Sequence, residues 1–155
     1  MNLLQNEVII RGLNKNNGMM ILRRAKIEDL DDILNLISDG SPPGVKISPT
    51  EKSDKSYVEV FHYIDQQPTY LLAVVEVDQR IIATFQLVFL AFLAGGGAQD
   101  CQIESVHVAR DFRGLGIGGL MIEWVIQLAK QHKCRRVQLT TNKSRVDPMK
   151  EPSTI

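Results

Sequence analysis

Ile103 to Asn142 reads IESVHVARDFRGLGIGGLMIEWVIQLAKQHKCRRVQLTTN, and this stretch decides the fold. Together with Cys101 and Gln102 its first residues alternate as a strand. That predicts Ile103, Ser105 and His107 on one face and Glu104, Val106 and Val108 on the other. Glycines at 114, 116, 118 and 119 follow, between two arginines and an apolar run. Glycine is costly to order, so a segment this rich in it needs bare backbone for a purpose. A helix is predicted from about Gly116 to His132. Trp124, with Leu120, Ile122, Val125, Ile126 and Leu128, belongs to its core side rather than to a ligand box. RRVQLTT, from Arg135 to Thr141, is a second strand. Strand, helix and strand in succession make a parallel pair joined by a crossover.

Working outward from that unit, MMILRRA at 19–25 reads as a strand. KIEDLDDILNLI reads as a helix with Ile27, Leu30, Ile33, Leu34 and Ile37 at helical spacing. Its acids, Glu28, Asp29, Asp31 and Asp32, suit the positive end of the helix dipole. SDGSPPGVKISPTEKS is a long proline-glycine-serine loop, and loops of that length are often functional. A second helix is predicted over Asp54 to Gln66, then two β-rich runs, TYLLAVVEVD and IIATFQLVFLAFL, joined as a hairpin across DQR. The fold class is therefore α+β (mixed α/β): a mixed, mostly antiparallel sheet flanked by helices, with one parallel strand pair around the glycine loop. The expected organisation is an extension over 1–18, either a disordered arm or an added edge strand from EVII, a single domain over 19–145, and a short tail over 146–155.

Composition narrows the function. The chain has 155 residues, 44% hydrophobic, and its 18 basic and 18 acidic residues cancel. That balance argues against wholesale binding of nucleic acid or an anionic membrane. Residues 28–39 are acidic, whereas Arg110 onward is basic, which suits a small anion. Cys101 and Cys134 form no C-x-x-C and no metal-ligand cluster with histidine, so they read as buried, reduced thiols and no metal is expected. His62 and His132 read as ordinary surface positions. No signal-peptide pattern opens the chain, and Ile81 to Ala94 is too short to span a bilayer, so the expected location is cytoplasmic.

The glycine loop follows a strand and opens a helix, which sets several backbone N–H groups at a positive helix end. That arrangement suits a phosphate or pyrophosphate, with Arg110 and Arg113 adding charge-assisted contacts. The bland alternative is a turn that only packs a helix closely on a sheet. Among ligand readings, a P-loop is excluded because G-x-x-x-x-G-K-[ST] does not occur. A dinucleotide loop, suggested by Gly114, Gly116 and Gly119, requires an acid about twenty residues on, and RRVQLTTN contains none. The third pattern is R-x-x-G-x-G, met by Arg113, Gly116 and Gly118.

With that motif in place, residues 103–142 resemble the cofactor-binding segment of the GNAT superfamily of acyl-CoA-dependent N-acetyltransferases. The order upstream, from about Met19, is similar in pattern. The resemblance implies acetyl-CoA as cosubstrate and a primary amine, on a small molecule or a peptide, as acceptor. It implies that the main chain of Val106, His107 and Val108 bonds the pantetheine arm in a gap between diverging strands. It also implies that the backbone of Arg113, Gly114, Leu115, Gly116, Ile117, Gly118 and Gly119 holds the pyrophosphate, and that Asn142 lies at a contact position. Amine attack on a thioester needs a neutral amine, a polarised carbonyl and a protonated leaving thiolate. Glu104, on the strand entering the gap, is the candidate base, and the Val108 N–H the candidate polariser. The alternatives are Glu104 as a solvated or arginine-paired residue and His107 as base.

After TTNKSR the family continues with a further helix and strand, whereas this sequence runs VDPMKEPSTI. Prolines at 148 and 152 discourage a helix there, and no tyrosine follows Tyr70. The expectation is a sheet without its closing strand. Three readings stay open: a shortened chain of weakened activity, an edge covered by EVII or by a second subunit in a homodimer, or an acyl-CoA-binding module with little turnover.

Overall fold

The structure is a computed structural model that describes residues 3–4, 8–12, 19–41, 54–140 and 153–154. Its strands are β1 (Val8–Gly12), β2 (Met19–Arg24), β3 (Tyr70–Val77), β4 (Arg80–Ala91), β5 (Gln99–Val108), β6 (Cys134–Leu139) and β7 (Ser153–Thr154). They form one seven-stranded sheet in chain order, antiparallel throughout except for the parallel pair β5–β6. The helices are α1 (Leu30–Gly40), entered through a 3-10 turn at Ile27–Asp29, α2 (Lys55–Gln66) and α3 (Ile117–Gln131). This is the mixed α+β architecture that the sequence pattern predicts.

Each helix starts where local chemistry allows. At α2, the Asp54 carboxylate accepts the Ser56 N–H at 2.9 Å, which satisfies one of the donors a helix start leaves over. α1 buries Ile33, Leu34 and Leu36, while Ile27, Leu30 and Ile37 pack at the margin of the core. α1 and α3 cover opposite faces of the sheet. On β4, Phe85 lies 6.2 Å from the Trp124 ring of α3, while its neighbour Thr84 is paired with His107, whose imidazole lies against Gly40 of α1. Sandwiched in this way, β4 is buried from Ile81 to Phe85, which explains its nearly unbroken apolar run.

Arg23 of β2 ties the sheet to the start of α1. Its guanidinium donates twice to Asp29, at 2.7 and 2.9 Å, and once to Glu76 of β3, at 2.8 Å. Asp29 also accepts the Lys26 N–H at 2.7 Å. Burial works to raise the Asp29 carboxyl, but the Arg23 and Lys26 hydrogen bonds outweigh it and hold the group below its ordinary range. The hairpin between β3 and β4 turns through Asp78 and Gln79, both left-handed with φ of 48° and 64°. Two consecutive residues of that kind give the twist a two-residue hairpin needs.

Two expectations are corrected at the sheet margins. EVII contributes to β1, but β1 pairs with β2, at the opposite end of the sheet from β6. The edge of β6, expected to lack a closing strand, is paired antiparallel with β7, with Arg136 opposite Thr154 and Val137 opposite Ser153. Backbone pairing this short needs no side-chain pattern, so the sequence carried no signal for it. Leu3 and Leu4, within the expected extension, are buried in the main core, and the Leu3 carbonyl accepts from Arg24 Nη2 at 2.7 Å. His132, read as a surface position, is half-buried edge-on against the Phe89 ring, 5.4 Å between centroids.

Candidate active site

The site begins with an extra residue in β5. Glu104 is paired with Gln86 and His107 with Thr84, so Ser105 and Val106 together oppose the single residue Phe85. Ser105 absorbs the bulge with a left-handed φ of 51° and stands exposed. One consequence overturns the alternation read from the sequence: Glu104 and His107 share a face of the sheet, because their partners Gln86 and Thr84 do. A period of two cannot foresee an inserted residue.

On its other side β5 pairs with β6 only as far as Ile103. Their last paired residues are Ile103 and Leu139, and the Thr140 N–H reaches the Ile103 carbonyl at 3.4 Å. From Glu104 to Val108, β5 runs on past its last pair with β6, leaving a wedge of main chain with no described strand beside it. Glu104 sits at its apex. Its Oε1 accepts from Thr140 Oγ1 at 2.9 Å and from Gln102 Nε2. Thr140 and Gln102 carry no motif, and sequence reading missed them; they enter through position alone.

The glycine loop follows at the far end of that stretch. After Val108 comes a 3-10 turn, Arg110–Phe112, and Arg113 Nε then donates back to the Val108 carbonyl at 3.0 Å. Gly114 and Gly116 are left-handed, with φ of 75° and 81°. Ile117, buried, anchors the first turn of α3. The first intrahelical bond runs from the Leu120 N–H to the Gly116 carbonyl, so the N–H groups of Ile117, Gly118 and Gly119 have no acceptor within the helix. Gly118 and Gly119 do not have left-handed backbones, and beyond their chain neighbours and the helix's own backbone no described heavy atom lies within 4 Å of where their Cβ atoms would stand. Neither backbone strain nor crowding by the described residues calls for glycine there. The space in front of a positive helix end is kept open, which fits a diphosphate and disfavours the bland packing-turn alternative.

The structure thus brings Glu104, Val106, His107, Val108 and the loop from Arg113 to Gly119 to one end of the β5–β6 pair. His107 is buried against Gly40, deeper than Glu104, which is only partly covered. Asn142 and the segment 42–53 lie outside the described residues. Cys101 and Cys134 are unpaired and buried at the closed end of the pair. Burial, with Cys134 nearby, pushes the Cys101 thiol up to about 12, so it is no nucleophile at neutral pH. Also at that end Asp100 is buried under Arg135 and Arg136, whose hydrogen bonds keep its carboxyl below the usual range. Among the described residues, no three His, Cys, Asp or Glu side chains gather as metal ligands. No helix among them is long and apolar enough to cross a membrane.

A bulged strand, a parallel neighbour paired with only its first half and a glycine loop at a helix start point to a class of acyl-transfer domain, and comparison with known proteins agrees. Residues 30–148 match the model of the acetyltransferase (GNAT) family, and the chain belongs to that family. Among solved structures, a transcriptional regulator from Bacillus halodurans C-125 is 31% identical. The match covers 81% of this chain and 84% of that one, with a TM-score of 0.74. Similar in fold are glucosamine-6-phosphate N-acetyltransferase from Arabidopsis thaliana (22% identity, 80% and 83% covered, TM-score 0.62) and a predicted acetyltransferase with acetyl-CoA from Clostridium acetobutylicum (21%, 81% and 82%, 0.63). No curated protein matches the chain.

Proposed function

We propose that the protein is an N-acetyltransferase that moves an acetyl group from acetyl-CoA to a primary amine by direct attack. The observation that carries this reading is the open space at Gly118 and Gly119 beside a wedge of β5 main chain. Acetyl-CoA supplies an acyl group activated as a thioester. The N–H groups from Arg113 to Gly119 hold its diphosphate, and the main chain of Val106, His107 and Val108 holds its amide-bearing arm as a further strand would be held. The Val108 N–H polarises the thioester carbonyl. Glu104, directly or through a water, takes the proton from the incoming amine. Both of its hydrogen bonds among the described residues fall on Oε1, and we assign Oε2 to the amine proton. The acceptor is a small-molecule or peptide amine, and reduced thiols suit a cytoplasmic setting.

A second reading, an acyl-CoA-binding module with little turnover, draws on the same two bonds. Held by Thr140 and Gln102, Glu104 is equally a clip that sets the apex of the wedge. Calorimetry with acetyl-CoA, CoA, NAD and ATP, followed by thiol-release assays over a panel of amines, separates these readings. The proposal expects acetyl-CoA and CoA to bind and at least one amine to be acetylated. Binding without turnover on any amine supports the module, and binding of NAD alone defeats both.

A further inference from the structure

Glycine loops bind diphosphate well only if their N–H groups already converge, since ordering them on binding costs entropy. Here Gly114 to Gly116 has no side chain with which to order itself beyond Leu115, which is exposed. Its shape must come from its two ends. The far end is α3, anchored by buried Ile117. The near end, Ala109 to Arg113, is tied at each step: the Ala109 N–H to the Ile82 carbonyl at 2.7 Å, the Phe112 N–H to Ala109 at 2.9 Å, and Arg113 Nε to Val108 at 3.0 Å. A side-chain tie also reaches this segment from β4. Arg80, the first residue of β4 after the left-handed Asp78–Gln79 turn, donates Nη1 to Asp111 Oδ2 at 2.6 Å and Nη2 to Oδ1 at 2.9 Å. Its guanidinium carbon lies 5.4 Å from the centre of the Phe112 ring.

We propose that Arg80 is a positioning residue for the cofactor, holding the entry of the glycine loop in its binding shape through Asp111 and Phe112. The inference rests on the acetyl-CoA reading above. Both side chains of the pair are more than half exposed, at 56% and 58%, so the clamp adds little to global stability. Its effect is local: a two-pronged fork resists rotation of the 3-10 turn in a way a single bond does not. Arg80 touches neither the wedge nor Glu104 in its described contacts, so it acts on binding and not on the acyl-transfer step.

The test is a double-mutant cycle, Arg80→Ala, Asp111→Ala and both together, read by calorimetric titration of acetyl-CoA and by steady-state kinetics. Arg80→Ala is expected to weaken acetyl-CoA binding by about three- to tenfold, the range of an exposed fork with a ring contact. KM for acetyl-CoA rises with it, while kcat at saturation stays within about twofold of the parent. Asp111→Ala gives a similar loss, and the double variant is no worse than either single one. Unchanged affinity in Arg80→Ala, strictly additive losses, or an equal fall in kcat would overturn the assignment. A parent protein that does not bind acetyl-CoA defeats the underlying reading instead, and that result is visible before any variant is made.

Discussion

Gly118 carries the most direct test at the scale of single residues. Its backbone is free of left-handed strain and, beyond its neighbours and the helix's own backbone, no described heavy atom lies within 4 Å of its missing Cβ, so Gly118→Ala should fold at least as well as the parent. A helix position usually gains about 0.5–1 kcal/mol from that change. Acetyl-CoA affinity should fall in the same variant, because the methyl group enters the diphosphate space. Thermal unfolding without ligand, set beside calorimetric titration, measures both. Loss of affinity together with lower stability would point to a packing role. Glu104→Gln keeps the shape and hydrogen-bonding reach of the side chain but not its basicity. It should slow turnover about 100-fold or more, most severely at low pH where free amine is scarce, with acetyl-CoA binding preserved. A pH–rate profile parallel to the parent's would assign Glu104 to the clip alone. Asp29 makes a pH prediction of a different kind. Its folded carboxyl is held below the ordinary value of 3.8, so its stabilisation is complete above that pH and is lost as pH falls through the lowered folded value. Asp29→Asn should flatten acid unfolding in that window. At neutral pH it should destabilise by about 1–3 kcal/mol, because Arg23 loses the charge of its forked partner and keeps only the Glu76 ion pair.

Elements were legible in the sequence where their chemistry is periodic or capped. Asp54 announces α2, DQR announces the hairpin, and the strand–glycine loop–helix run announces the parallel pair. What stayed hidden were features that break a period or use backbone alone: the Ser105 bulge and the two-residue β7. The bulge matters most for the candidate site, since it moves His107 onto the face of Glu104. The loop residues could be named from their motif, whereas Thr140, Gln102 and Arg80 act through contacts to distant parts of the chain and carry no local mark. The hairpin turn offers a test at this scale. Gln79 occupies a left-handed position where glycine is at ease, so Gln79→Gly should stabilise the protein by about 1 kcal/mol, or about 2–4 °C in Tm. A drop in Tm would show that the Gln79 side chain contributes more than its backbone strain costs.

Across the whole molecule, the buried leucines at the N-terminal end make the expected boundary at residue 19 a poor place to cut. Leu3→Ala should cost about 2–5 kcal/mol, measured by chemical unfolding, because Leu3 is 2% exposed within the main core. A change below about 0.5 kcal/mol would mean that the core closes without it. The order of the sheet has a further consequence. Each strand pairs with the one synthesised before it, so a growing chain adds strands to an existing edge and rarely waits for a distant partner. Two strands wait for helices: β3 reaches β2 only after α1 and α2, and β6 reaches β5 only after the loop and α3 have been made. The wedge does not exist until that crossover closes. On the proposed acetyl-CoA reading, a chain still emerging from the ribosome therefore completes most of its sheet before it can hold the cofactor, and binding competence arrives late.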